Sequence, residues 1–186
     1  VEGGQLKKGK SGGRAAGDDF PALPEATPAS LEKPCGVLVT GIGGTGVITI
    51  GQILGVAAHL EGKGVSVLDM SGLAQKYGAV MSHVKIAASA SEVHVARLGT
   101  GDARLVIGCD LVVTANGDAL DKMDAGRTRA VVNATTSPTA AFVKNPDWQL
   151  PGSNLQHDIA EACGGRHAEF VPAAELATAL ATELSR

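Results

Sequence analysis

The segment Gly41-Ile42-Gly43-Gly44-Thr45-Gly46 constrains this chain more than any other. Before it stands an apolar, β-branched run, Gly36-Val37-Leu38-Val39-Thr40, bounded by Pro34 and Gly41. That run predicts a buried strand. After it come Val47, Ile50, Ile53, Leu54, Ala57, Ala58 and Leu60. Their spacing predicts a helix over 46–61, stopped by Gly62 and Gly64. A G-x-G-x-x-G turn between a strand and a helix suits an anion. Gly41 permits the tight turn, Gly43 or Gly44 lets a phosphate approach the backbone, and Gly46 lets the helix pack close to the strand. Thr45 adds a hydroxyl. The helix N-terminus offers free N–H groups and the positive end of its dipole. Gly41, Gly43, Gly44, Thr45 and Gly46 are therefore the candidate cofactor-binding residues. The competing reading is that these glycines serve only strand–helix packing, a use that Gly51 and Gly55 on the helix also favour.

Val65-Ser66-Val67-Leu68-Asp69-Met70 predicts a second strand. The order β-α-β implies a parallel pair joined by a right-handed crossover. Asp69 lies 23 positions after Gly46, where a dinucleotide fold places its ribose-binding carboxylate. A free-standing NAD or FAD module is thus one functional alternative, and a purely structural interaction domain is another. Against the dinucleotide reading, a polar loop or short helix (71–77) comes next, and then two runs, Val80–Ala87 and Glu92–Ala96, that read as an antiparallel hairpin turning near Ser89-Ala90. Further on, Leu111–Thr114 reads as a buried strand, Asp118–Asp124 as a short helix and Arg129–Asn133 as a strand. A long loop with three prolines covers 134–152, with Trp148 anchoring it by burial, and a helix spans 153–163. Ala168–Val171 is a last strand, and Leu176, Leu180 and Leu184 continue a helix begun at Pro172. The expected fold is α/β: a Rossmann-like three-layer domain with a mainly parallel sheet plus an antiparallel hairpin.

Composition narrows the function classes. Residues 1–34 hold six glycines and four of the eight prolines without apolar periodicity, so they read as a flexible linker or arm, and 35–186 as the globular domain. The arm is locally basic at 7–14, but the whole chain has 16 basic and 19 acidic residues, which argues against a nucleic-acid binder. Five scattered aromatics offer no base-stacking platform. No apolar run is long enough for a membrane span, and no secretion signal opens the chain, so the expected location is cytoplasmic. Cys35, Cys109 and Cys163 are far apart, so this chain alone builds no zinc site or iron–sulfur cluster. His94, His157 and His167 are scattered too, and Cys163 with His167 lacks a second pair of ligands. A chain that begins with Val1 is expected to be a piece of a longer protein.

The glycine turn and the stretch from Leu68 to Ala87 together carry a more specific signal. Gly41 to Leu54 reads GIGGTGVITIGQIL, and Leu68 to Ala87 reads LDMSGLAQKYGAVMSHVKIA. Over about residues 35–181 the chain resembles the gamma domain of 2-oxoacid:ferredoxin oxidoreductases, most of all the long fused bacterial form of indolepyruvate:ferredoxin oxidoreductase. Tyr77-Gly78 is present, but where the wider family carries Arg-Gly-Gly this chain reads Met81-Ser82-His83. The resemblance implies an enzyme that oxidatively decarboxylates an aryl 2-oxoacid to an acyl-CoA and reduces ferredoxin. It implies thiamine diphosphate, Mg and 4Fe–4S clusters in other domains, and coenzyme A as the group this domain helps to hold. The isolated domain is expected to lack turnover, and its partners are other domains or subunits of the same oxidoreductase in an oligomer. Gln75, Lys76, Tyr77, Ser82 and His83 are expected to contact a neighbouring domain near the active centre, with an exposed loop and a polar strand face as the plainer reading. No catalytic residue is assigned, because no carboxylate can be placed beside His83 from sequence.

Overall fold

The computed structural model of the chain describes residues 25, 30–72, 78–135 and 152–184. Its elements are β1 (Cys35–Ile42), α1 (Val47–Leu60), β2 (Gly64–Ser71), β3 (Ala79–Ala87), β4 (Ala103–Gly108), α2 (Leu111–Thr114), α3 (Gly117–Leu120), β5 (Arg129–Asn133), α4 (Gly152–Ala162), β6 (Ala168–Val171) and α5 (Ala173–Leu184). The six strands form one sheet in the order β2-β3-β1-β4-β5-β6. β1, β4, β5 and β6 run parallel, while β3 is antiparallel to both β1 and β2. The α/β architecture with a mostly parallel sheet and an antiparallel hairpin is as the sequence predicts. Most of the expected arm (1–34), the polar loop (73–77) and most of the proline loop with Trp148 lie outside the described residues.

β1 is central, and its residues from Gly36 to Ile42 are all buried, which explains why it reads as an unbroken apolar run rather than an alternation. Its alternate side chains feed two cores. Val37 and Val39 join Val47, Val80 and Val84 beneath α1. Leu38 joins Leu98, Val106, Leu111, Val132 and Ile159 on the opposite face, under α2 and α4. Complete burial of a side chain such as Leu38 contributes roughly 1.5–3 kcal/mol. The close seating of α1 follows from Gly51 and Gly55: a Cβ at Gly51 would collide with Ser82, and one at Gly55 with Val67.

Four expectations are corrected. β1 and β2 are not a hydrogen-bonded pair, because β3 lies between them. Glu92–Ala96 forms no strand: Ala90–Glu92 is a single 3₁₀ turn, and the hairpin partner of β3 is β2. The reason is topological, since β3 is flanked by β1 and β2 and has no free edge to offer. Leu111–Thr114 is the helix α2 rather than a strand, and the strand of that region is the preceding Ala103–Gly108. Asp110 caps α2 by accepting a hydrogen bond from Val113 N at 2.9 Å, and Thr114 Oγ1 donates back to Asp110 O at 2.6 Å. Those two local bonds outweigh the strand preference of Val112 and Val113. The helix expected over Asp118–Asp124 is shorter and earlier, at Gly117–Leu120, capped by Asn116.

Candidate anion-binding site

Strand order reverses direction of growth at β1. Its helix leads toward β3 and β2, whereas β4 to β6 extend the sheet the other way. In open α/β sheets the crevice beyond the strand ends at such a point is where ligands bind. Here the carboxyl ends of β1 and β4 meet: Cys109 N donates to Thr40 O at 2.7 Å, and Asn133 Nδ2 reaches Cys109 O at 3.3 Å. Thr40 Oγ1 and Thr114 Oγ1, 2.8 Å apart and buried, tie α2 to the end of β1.

The glycine turn forms one wall of this end. Thr45 N and Thr45 Oγ1 both donate to Ile42 O, at 3.1 and 2.8 Å, closing a compact loop. Gly43 N donates to Gly78 O at 2.9 Å, pinning the loop to the start of β3. The division of labour among the glycines differs from the expected one. Gly41 is needed for space, since a Cβ there would run into Thr45, Val47 and Cys109. Gly44 and Gly46 have open space but sit at φ +98° and +85°, a conformation that L side chains resist. Close packing of the helix is achieved one and two turns later, at Gly51 and Gly55.

Gly46 is the N-cap of α1, and no side chain caps the helix. Ile50 N is the first amide bonded to the turn, through Gly46 O at 2.9 Å. The amides of Val47, Ile48 and Thr49 find no acceptor among the described residues, so they remain as donors at the positive end of a 14-residue helix. Beside them lies a cavity of about 270 Å³ lined by Ile42, Gly43, Gly44, Gly46, Val47, Ile48, Thr49 and Val80. It joins backbone donors to an aliphatic wall. Thr45 does not add a free hydroxyl, because its hydrogen is committed to Ile42 O. Ile42, Ile48 and Val80 were not expected at the site; Val80 is legible only once β3 is known to lie beside β1.

The remaining candidates are not gathered here. Gln75, Lys76 and Tyr77 lie outside the described residues. Ser82 and His83 are adjacent on β3, so they point to opposite faces of the sheet. Ser82 is completely buried beneath Gly51 of α1, and its Oγ has no hydrogen-bond partner in the described structure. His83 is 1% exposed and its Nδ1 accepts from Leu98 N at 3.3 Å. Burial holds its pKa below the ordinary value, and Arg97, Lys122 and Lys85 push it the same way. Buried to this degree, neither side chain can touch a neighbouring domain unless the sheet opens. Asp69 is exposed at the end of β2, an edge strand. Two strand spacings, about 9–10 Å, separate β2 from β1, twice the separation a dinucleotide fold uses. Burial raises the thiol pKa of Cys35 and Cys109, and carries that of Cys163 to about 11. Among the described residues no three His, Cys, Asp or Glu side chains converge on a common point.

Comparison with known proteins adds three findings. The family model for pyruvate ferredoxin/flavodoxin oxidoreductase matches residues 36–186. Indolepyruvate oxidoreductase subunit IorB of Methanothermobacter thermautotrophicus is 27% identical over 128 residues, 69% of this chain and 62% of that subunit. The same subunit of Thermococcus kodakarensis is 31% identical over 75 residues, 40% of this chain and 36% of that one. The chain therefore spans less than two thirds of the length of these relatives. The solved 2-oxoglutarate:ferredoxin oxidoreductase of Magnetococcus marinus superposes with a TM-score of 0.54 at 18% identity, over 79% of this chain and 21% of that one. That likeness concerns the fold.

Proposed function

The chain belongs to the pyruvate ferredoxin/flavodoxin oxidoreductase family, and from that premise we propose that it is the gamma-like domain of an indolepyruvate-type oxidoreductase. On this reading the whole enzyme uses thiamine diphosphate, Mg and 4Fe–4S clusters to decarboxylate an aryl 2-oxoacid to an acyl-CoA, and passes the electrons to ferredoxin. The kinship with indolepyruvate oxidoreductase subunits supports the substrate class. On this reading those groups sit in other domains or subunits, and among the described residues no three His, Cys, Asp or Glu side chains converge. Residues 35–186 act as the domain and 1–34 as the arm that joins it to them. The assembly is an oligomer in the cytoplasm. No described helix is long and apolar enough to cross a membrane.

The role of this domain is to hold coenzyme A, and one observation carries it: the uncapped N-terminus of α1 faces a crevice with both amide donors and an aliphatic wall. The amides of Val47, Ile48 and Thr49 suit a phosphate, while Ile42, Ile48 and Val80 suit an aliphatic neighbour of that phosphate. Coenzyme A, when bound, supplies the thiol that accepts the acyl group. The Magnetococcus marinus enzyme of the same fold was solved with coenzyme A and succinyl-CoA bound. A dinucleotide is disfavoured, because no carboxylate stands on a strand next to β1 to take a ribose diol.

Gly43 lines the crevice and is not among the glycines with positive φ, so Gly43→Val is the variant that tests the assignment. In the assembled enzyme this variant is expected to weaken coenzyme A binding by about tenfold or more, with circular dichroism unchanged. Calorimetric titration that finds unaltered affinity for coenzyme A, or NAD binding in its place, overturns the assignment.

A further inference from the structure

Residues 88–102 join β3 to β4, and Leu98 among them enters the core on the face of the sheet opposite α1, beside Leu38 and Val106. Both ends of this connection are stapled by bonds of their own. At the start, Ser89 Oγ donates to Glu92 Oε1 at 2.8 Å and Val93 N donates to Ala90 O at 3.3 Å. At the finish, Gly99 N donates to Asp102 Oδ2 at 2.9 Å, Thr100 Oγ1 to the Asp121 carboxylate at 3.1 Å and Gly101 N to Asp121 O at 2.9 Å. Between the staples, the backbone of 94–97 makes no hydrogen bond to any described residue. Leu98 N then donates to His83 Nδ1 at 3.3 Å. The middle of the connection therefore hangs on one imidazole and one buried side chain.

To accept an amide, Nδ1 must be bare, so the neutral ring carries its hydrogen on Nε2. A proton on Nδ1 removes the acceptor and sets two N–H groups against each other. The charges that act on the ring are all positive: Arg97 on the connection itself, Lys122 just after α3, and Lys85 on β3. The cross-strand neighbours of His83 on β1 and β2 are Leu38 and Leu68, which offer no counter-charge. The carboxylates of this region are already engaged. Asp102 Oδ2 lies 3.7 Å from Lys85 Nζ, and Asp121 Oδ2 accepts from Lys122 Nζ at 2.6 Å. An imidazolium here gains by reaching water, and only the connection above it can move without breaking the sheet.

We infer that residues 93–98 form a proton-released strap: protonation of His83 drops the Leu98 amide, repels Arg97 and lets the segment lift, while the stapled ends and the sheet stay folded. Lifting withdraws Leu98 from the core and bares the apolar sheet face around Leu38 and Met81. The hinges are the turns at 89–92 and 99–102. The chain thus carries an acid-responsive apolar surface on the side of the sheet away from the glycine turn, whatever that turn holds.

The test is hydrogen exchange of the Leu98 amide in the full-length protein, resolved by fragmentation mass spectrometry, with 36–41 in β1 and 104–108 in β4 as references. Acid also lowers global stability, so urea separates the two routes. Local lifting exposes little surface, and Leu98 is expected to exchange faster than the references and almost independently of low urea. Its protection is expected to fall by about tenfold from neutral pH to pH 5, the scale of one lost buried hydrogen bond. His83→Gln keeps an acceptor without titrating and is expected to abolish that fall. Should that variant not fold, Arg97→Gln decides: it replaces an exposed residue, removes one repelling cation and is expected to make the fall smaller. A Leu98 amide that exchanges only as slowly as the references, with their urea dependence, overturns the strap. Protection that does not change with pH, or an acid fall that persists undiminished in the deciding variant, overturns it as well.

Discussion

His83 is the residue whose chemistry depends most on its surroundings. It stands on β3 with its imidazole sealed on the face opposite α1, and its Nδ1 lone pair accepts the Leu98 amide. Protonation would remove that acceptor and place a cation among Arg97, Lys122 and Lys85. The folded pKa therefore lies below the ordinary value of about 6.5 that the unfolded chain retains. Between the two values the unfolded state binds more protons, so stability rises with pH there. The contribution is complete above the unfolded value and is lost as pH falls through it toward the folded value. Urea midpoints are accordingly expected to fall from neutral pH to pH 5, and His83→Gln, which keeps an acceptor but cannot titrate, is expected to flatten that slope. An unchanged slope in the variant would show that another group carries it. The sequence placed a polar pair at 82–83 but could not say that β3 is enclosed by two strands, and enclosure is what turns His83 from a surface candidate into a core residue.

At the scale of elements, legibility followed the length and regularity of the pattern. β1 and α1 were readable because a buried central strand is uniformly apolar and a 14-residue helix repeats its spacing. The glycine turn between them was readable for the same reason, and with it the candidate site. Asp69 was misleading, because sequence spacing does not reveal that β3 inserts between β1 and β2. A four-residue apolar run such as Leu111–Thr114 carries too few positions to separate strand from helix; Asp110 decides it. Asp110 is 1% exposed, with Oδ1 bonded to Val113 N and Oδ2 without a partner in the described structure. Asp110→Ala is thus expected to cost about 1–2 kcal/mol in urea unfolding through the lost cap. Asp110→Asn keeps the cap oxygen and removes the charge, so its cost is expected to be smaller, near zero. Equal destabilisation by both variants would contradict the capping account and point to the charge instead.

Over the described residues, one side of the sheet is covered by helices and the other is covered only in part. α2 and α4 cover the face that carries Leu38, Val106 and Val132. The face that α1 covers over β1, β2 and β3 becomes bare toward β5, where Val131 is 40% exposed and Arg129 is exposed. α5 follows β6 after Pro172 and keeps Leu176 and Leu180 exposed, at 60% and 42%. Its contacts with the other described elements are slight. A helix that buries so little apolar surface adds little to the stability of the sheet. Deletion of 173–186 is therefore expected to leave the thermal midpoint of the chain within about 2 °C, because a shift of that size corresponds to no more than about 0.5–1 kcal/mol in a domain of this length. A drop of many degrees would mean that in solution α5 folds back over Ile107 and Val131 and completes the layer itself. A small shift leaves Leu176 and Leu180 with their hydrophobic surface unspent, and the same truncation made in the assembled oxidoreductase would then weaken assembly while the isolated chain keeps its fold.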